Sequence, residues 1–291
     1  MIPLVLHTGT ANFSWTEWHL HPDVILLVAA LLAAYGAAWR WGMTRGYVLK
    51  TRHVLLYLSG VAAIYTAAGT PIHDLSEQYL FSVHMVQHML FTLVAPPLLL
   101  AGTTDWMWRP LLRPTWALRT ARFFVKPVVA IALFNGTTIV THLPIVMDFS
   151  LRHHPAHFTV HAILITTAVS MWWLVFSPLP ELPRLKEPWR LGYLFIQSIV
   201  PTVPASFLTF SDSVIYRFYA TAPEIWGVSA IQDQRISGLT MKLGGGLLLW
   251  SVITVLFFLW YEEEEAEGAT KRLPRWKDTE KELKRMGLTK R

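Results

Sequence analysis

His84-Met85-Val86-Gln87-His88, set inside the apolar run of residues 78–101, decides how this chain is read. A helix needs about 20 apolar residues to cross the hydrocarbon core of a bilayer, and this run supplies them. Residues four apart on a helix share a face one turn apart, so the two imidazoles can converge on a metal ion, a haem or another polar group. Ionisable side chains at membrane depth are costly and point to function. A structural reading stands beside that one, in which the pair hydrogen-bonds a neighbouring helix.

Six more apolar runs flank this one, at residues 24–41, 53–69, 126–148, 156–176, 189–210 and 234–260. The 291 residues are 53% hydrophobic and 15% charged, with a mean hydropathy of +0.37. That is too apolar for a soluble globule. The expected fold is an all-α polytopic membrane protein: residues 1–22 as an extracytoplasmic segment, 23–261 as a domain of seven transmembrane helices, and 262–291 as a charged tail, solvated or partly helical. Residues 1–22 carry no Lys or Arg and no small-residue cleavage signature, so no secretory signal peptide is expected. Pro96 and Pro97 lie near the end of the third run, where neighbouring helices must satisfy the carbonyls they free. Pro201 and Pro204 predict a kink in the sixth.

The basic residues set the expected orientation. Arg40, Arg45, Lys50 and Arg52 follow the first span; Arg109, Arg113, Arg119, Arg122 and Lys126 follow the third; and Arg184, Lys186 and Arg190 follow the fifth. The intervening connectors hold only Arg152, Arg217 and Arg235. By the positive-inside rule the N-terminus lies outside and the tail is cytoplasmic. The net charge of +6 is thus a matter of topology, and no nucleic-acid partner is implied. The connector of residues 103–124 mixes arginines with tryptophans and leucines, as suits a segment along the membrane interface, while Tyr216, Phe218, Tyr219 and Trp226 read as an interfacial aromatic belt.

Eleven of the twelve histidines then fall on the outer side or in the outer half: His7, His19, His21, His73, His84, His88, His142, His153, His154, His157 and His161. Only His53 is cytoplasmic. At about 1.5 Å per residue, His84, His88, His142, His157 and His161 occupy one layer in the outer half. They converge on a common metal or cofactor site if the third, fourth and fifth spans are neighbours. His7, His19, His21 and His73 read as ordinary exposed histidines.

Met85, Met89 and Met147 lie near the same layer, and thioethers suit Cu(I), although methionine is also ordinary packing material. The chain has no cysteine, so thiolate chemistry and disulfides within it are excluded. Lys242 sits deep in the seventh span, either paired with Asp233 or lining a wet cavity; Asp233 reads equally well as the N-cap of that span.

His84-Met85-Val86-Gln87-His88-Met89-Leu90, with Ala95-Pro96-Pro97-Leu98-Leu99 after it, resembles the most distinctive motif of the CtaG family of seven-helix cytochrome c oxidase assembly factors. Further similarities follow in order: His142-Leu143-Pro144, the His157 and His161 pair, Leu208-Thr209-Phe210 with Tyr216 and Tyr219, and Asp233-Gln234 with Gly238 and Met241. Lys242 departs from the pattern, where family members often carry Trp. The resemblance covers roughly residues 50 to 260. It implies assembly of a haem-copper oxidase at the bacterial cytoplasmic membrane, with copper as cargo, oxidase subunits or assembly intermediates as partners, and an extracytoplasmic copper donor.

Two other classes fit the histidines. His84/His88 and His153-His154-Pro155-Ala156-His157 look like the histidine boxes of a membrane di-iron oxygenase or desaturase, although the charge bias places them outside. Two membrane imidazoles from facing helices can also ligate haem. No H-E-x-x-H, phosphate loop or nucleophile elbow occurs, which removes support for metalloprotease, energy-coupled transport and hydrolase readings.

Overall fold

The computed structural model describes residues 13–16, 18–272, 276–286 and 288, and His7 lies outside them. Among the described residues the chain is all helical. Helix α1 spans Pro22–Met43 and α2 spans Thr51–Ala68; the short α3, Pro71–Gln78, replaces the turn expected there, capped by Thr70 with Pro71 in its first turn. The central span runs as α4 (Phe81–Met89), a π turn (Leu90–Val94) and α5 (Ala95–Ala101). After it come α6 (Asp105–Leu112), α7 (Thr115–Phe124), α8 (Pro127–Thr141), α9 (Pro144–Arg152) and α10 (His154–Phe176). The chain continues through α11 (Trp189–Ile199), α12 (Thr202–Phe210), α13 (Arg217–Ala220), α14 (Ala230–Leu239), a second π turn (Thr240–Gly244), α15 (Gly245–Arg272) and α16 (Trp276–Arg285).

Among the described residues five helices are long and apolar enough to cross a membrane, and up to seven if each of two bent pairs forms one span. The chain is therefore a multi-pass membrane protein. The bent pairs are α2 with α3, at 47°, and α7 with α8, at 68°. Helix α7 buries none of its residues, in keeping with its mixed arginine and aromatic sequence.

The fourth apolar run does not continue to residue 148 as expected. It stops at Thr141, because proline disfavours the helical region in the residue before it, and Leu143 accordingly sits at ψ 135° ahead of Pro144. The remainder becomes α9, which takes up most of the turn expected at residues 149–155. The sixth run breaks between α11 and α12 at Val200-Pro201, as its prolines predict.

Two contact-defined units divide the chain, Met1–Trp250 and Ser251–Arg291. In the first, the central span packs on α2, α10 and α14, while α10 also packs on α8 and α9. Glycines permit the closest approaches. A Cβ on Gly102 would meet the Tyr57 backbone of α2, and one on Gly238 would meet the backbone of Ala205 and Thr209 in α12. In the second unit, Lys284 of α16 pairs with Glu280 one turn earlier, at 2.7 Å.

Pro96 lacks the amide that would bond the Thr92 carbonyl four residues back. The indole Nε1–H of Trp172, fully buried on α10, donates to that carbonyl at 2.8 Å. The proline pair thereby creates a polar tie that fixes α10 against the central span, and that contact brings the histidines of both together.

Candidate metal centre

Helix α4 presents His84 and His88 on its buried face, with ring centroids 4.2 Å apart. Helix α10 contributes His157 and His161, also one turn apart and 4.2 Å between centroids. The Nε2 atoms of His88 and His161 approach to 3.2 Å, and those of His157 and His161 to 3.0 Å. One ligating atom from each of His84, His88 and His161 can be chosen so that all three lie within 4.8 Å of one another. Both ring nitrogens of His84, a residue 1% exposed, lack a hydrogen-bond partner among the described residues. An orphaned buried imidazole is costly as a structural element and well suited as a ligand.

His142 closes α8 at its C-terminal end and comes within 5.9 Å of the His88 ring. Its Nδ1 sits 2.7 Å from the Thr138 carbonyl and so carries the proton, which directs the lone pair to the unpartnered Nε2. The five histidines singled out in the sequence thus form one cluster, with His84, His88 and His161 at its centre.

Outside the cluster stands a shell that the sequence did not reveal. Glu77 on α3 places Oε1 3.3 Å from Nδ1 of His157 and 3.3 Å from Nδ1 of His73, so a carboxyl group backs the imidazole whose other nitrogen faces His161. Gln87, the middle of the opening motif, is fully buried. Its Nε2 donates to the Ala67 carbonyl at 2.9 Å and lies 3.0 Å from His73 Nδ1, while its Oε1 accepts from Ser76 Oγ at 3.2 Å. Glu77 was legible only as part of an acidic turn, and Gln87 only as a polar residue between two histidines.

Tyr216 and Tyr219 do not form the expected interfacial belt, since each is less than 5% exposed. Their hydroxyls donate to the carbonyls of His142 and Ser76, both at 2.8 Å, and the Tyr219 ring stands 6.3 Å from that of His84. Burial raises both phenol pKa values, which keeps them as donors. Trp226 remains exposed.

Asp233 does not cap the span that carries it. Ser229 and Gln232 form the capping box of α14, and Asp233 reaches across to α4, accepting from the amides of Phe81 at 2.6 Å and Ser82 at 3.1 Å. Nor does it pair with Lys242, whose Nζ lies 5.9 Å from the centroid of the Phe210 ring.

Met85 and Met147 are buried with Phe81, Leu208, Tyr216 and Tyr219, and Met241 packs against that group. Met85, Met89 and Met241 also line a small chamber of about 60 Å³ together with His88 and His142. A second cavity of about 500 Å³ has His73, Glu77, His157 and His161 in its wall, together with mostly apolar residues of α1, α2, α5, α6 and α10.

The family model for the cytochrome c oxidase caa3 assembly factor, Caa3_CtaG, matches residues 33–263. The chain belongs to this family. Curated relatives include uncharacterized proteins of Mycobacterium bovis and Mycobacterium tuberculosis, each 25% identical over 253 residues, and one of Mycobacterium leprae, 23% identical over 267. The alignments cover 81–82% of this chain but only 37–39% of the relatives, so the CtaG-like chain spans well under half of their length. No solved structure matches significantly.

Proposed function

We propose that this chain is a copper-handling assembly factor for a caa3-type haem-copper oxidase, with no catalytic turnover of its own. It crosses the bacterial cytoplasmic membrane seven times, with the N-terminus outside and the charged tail in the cytoplasm. Its partners are oxidase subunits or assembly intermediates and an extracytoplasmic copper donor.

The observation that carries the reading is the convergence of His84, His88 and His161 with both nitrogens of His84 orphaned. An ion bonded at about 2.0 Å to each of two Nε2 atoms 3.2 Å apart would subtend close to the tetrahedral angle. The same separation argues against haem, because it leaves no slot for a porphyrin plane between the rings. His153 weakens the oxygenase reading, since it stands outside the cluster with Nδ1 on its own Phe149 carbonyl at 2.8 Å.

The test is copper stoichiometry of the full chain in detergent after Cu(I) loading, compared with a His84→Ala/His88→Ala double variant. The wild type is expected to retain copper and the double variant to lose it. Equal retention would overturn the ligand assignment, and a Soret band that collapses in His84→Ala would reinstate haem.

A further inference from the structure

His19, His21 and His73 read from sequence as ordinary exposed histidines, and only His19 is exposed in the structure. Its side chain is 64% accessible, against 17% for His21 and 12% for His73. Asp74 joins the first two, and ring contact brings in the third. His19 Nδ1 is 2.9 Å from Asp74 Oδ2, and His21 Nε2 is 3.8 Å from the other oxygen of the same carboxylate. The rings of His21 and His73 stand 4.4 Å apart, and Glu77 bridges His73 to His157. From His157 the contacts continue to His161 and His88, and so to His84.

Metal-binding side chains therefore form an unbroken line from an accessible histidine to an orphaned, buried one. Accessibility is greatest at His19 and least at His84, and beyond Glu77 the line is imidazole alone. The line follows the wall of the 500 Å³ cavity, to which His73, Glu77, His157 and His161 all contribute.

We propose that this line is a ligand-exchange route by which Cu(I) travels from the outer surface to the buried centre, an inference that rests on the copper reading above. Metal–nitrogen and metal–oxygen bonds are about 2 Å long, so donors about 4 Å apart or closer can share one ion, and the His21–His73 and His88–His84 steps are made between rings in contact. Each step forms a bond to the next imidazole or carboxylate before the previous ligand leaves. The ion never crosses apolar space uncoordinated, and its oxidation state does not change. Asp74 lies at the outer end, where the cation sheds water and pays the desolvation cost. The inner imidazoles are neutral and more numerous, so they retain a soft ion without a permanent counter-charge.

The prediction concerns rate, whereas the buried centre governs capacity. The full chain in nanodiscs is mixed rapidly with Cu(I) under argon, and filling is quenched at intervals by a Cu(I) chelator. A His21→Ala/Asp74→Asn variant is expected to reach wild-type stoichiometry at least tenfold more slowly, and His19→Ala, at a surface position that folding tolerates, is expected to slow filling to a smaller extent. His84→Ala is expected to lose capacity at all times. Filling of both outer variants at the wild-type rate overturns the route, as it would if the line carried protons alone. Loss of capacity in His19→Ala also overturns it, because that residue would then belong to the equilibrium site. A wild type with no His84-dependent copper overturns the underlying reading instead, and the route with it.

Discussion

The Nε2 atoms of His88 and His161, 73 residues apart in the chain, stand 3.2 Å from one another. One belongs to the central span and the other to α10, and neither helix alone could make a three-imidazole centre. Two residues one turn apart on a single helix supply at most a pair of ligands, so the centre depends on how α10 docks.

His84 offers the cleanest separation of stability from binding. With both nitrogens buried and unpartnered, it carries an unsatisfied polar cost of about 1–3 kcal/mol. His84→Leu removes that cost at similar volume, so the metal-free protein is expected to melt higher than wild type. Copper bound to the folded state alone is expected to raise the melting temperature of wild type, and this rise is expected to vanish in the variant. Thermal unfolding with and without Cu(I) measures both effects. A variant that melts lower without metal would show that His84 is structurally satisfied.

Trp172 is expected to matter although it touches no ligand. Its indole satisfies the Thr92 carbonyl released by Pro96, and Trp172→Phe keeps the ring but deletes the donor. A carbonyl left unpaired in an apolar interior costs about 1–3 kcal/mol. Because this tie sets α10 against the central span, copper affinity is expected to fall along with stability. Competition with a chelator of known affinity reads the first and thermal unfolding the second; unchanged values for both would dismiss the tie.

Much of this arrangement was legible in the sequence, and the parts that were not share a cause. Hydropathy marked the apolar helices because lipid imposes length and composition locally. The four-residue spacing of His84 and His88 is likewise a local property. Glu77, Gln87 and Tyr219 acquire their roles only through contacts between helices, and nothing in their own neighbourhoods distinguishes them from a surface acid, a core amide and a belt aromatic. Asp233 shows how a local reading misleads. It sits in the first turn of α14, where an N-terminal acid is common, yet its carboxylate serves amides 151 and 152 residues away.

That long-range cap gives a third expectation. Asp233→Ala leaves the amides of Phe81 and Ser82 without their acceptor at the start of α4, and loss of a cap costs about 0.5–2 kcal/mol. Asp233→Asn retains a side-chain oxygen and should cost less. Hydrogen exchange locates the effect: the Phe81 and Ser82 amides should lose protection in the alanine variant, while the start of α14, held by Ser229 and Gln232, should keep it. Fraying of α14 instead would return Asp233 to the role first read for it.

Met147 discriminates thioether ligation from packing. It is 3% exposed among Phe81, Met85, Leu208, Tyr216 and Tyr219, and it does not line the chamber beside His88 and His142. Met147→Leu conserves volume and is expected to change stability by less than about 1.5 kcal/mol, with copper stoichiometry and affinity unchanged. Met89 does line that chamber, and the carbon Cβ of a substituted Gly244 would meet its terminal methyl. Met89→Leu is therefore the informative companion. If the methionines serve only as packing, both variants bind Cu(I) as wild type does. A tenfold loss in Met89→Leu, with Met147→Leu unaffected, would add a sulfur to the imidazole centre and extend it into the chamber.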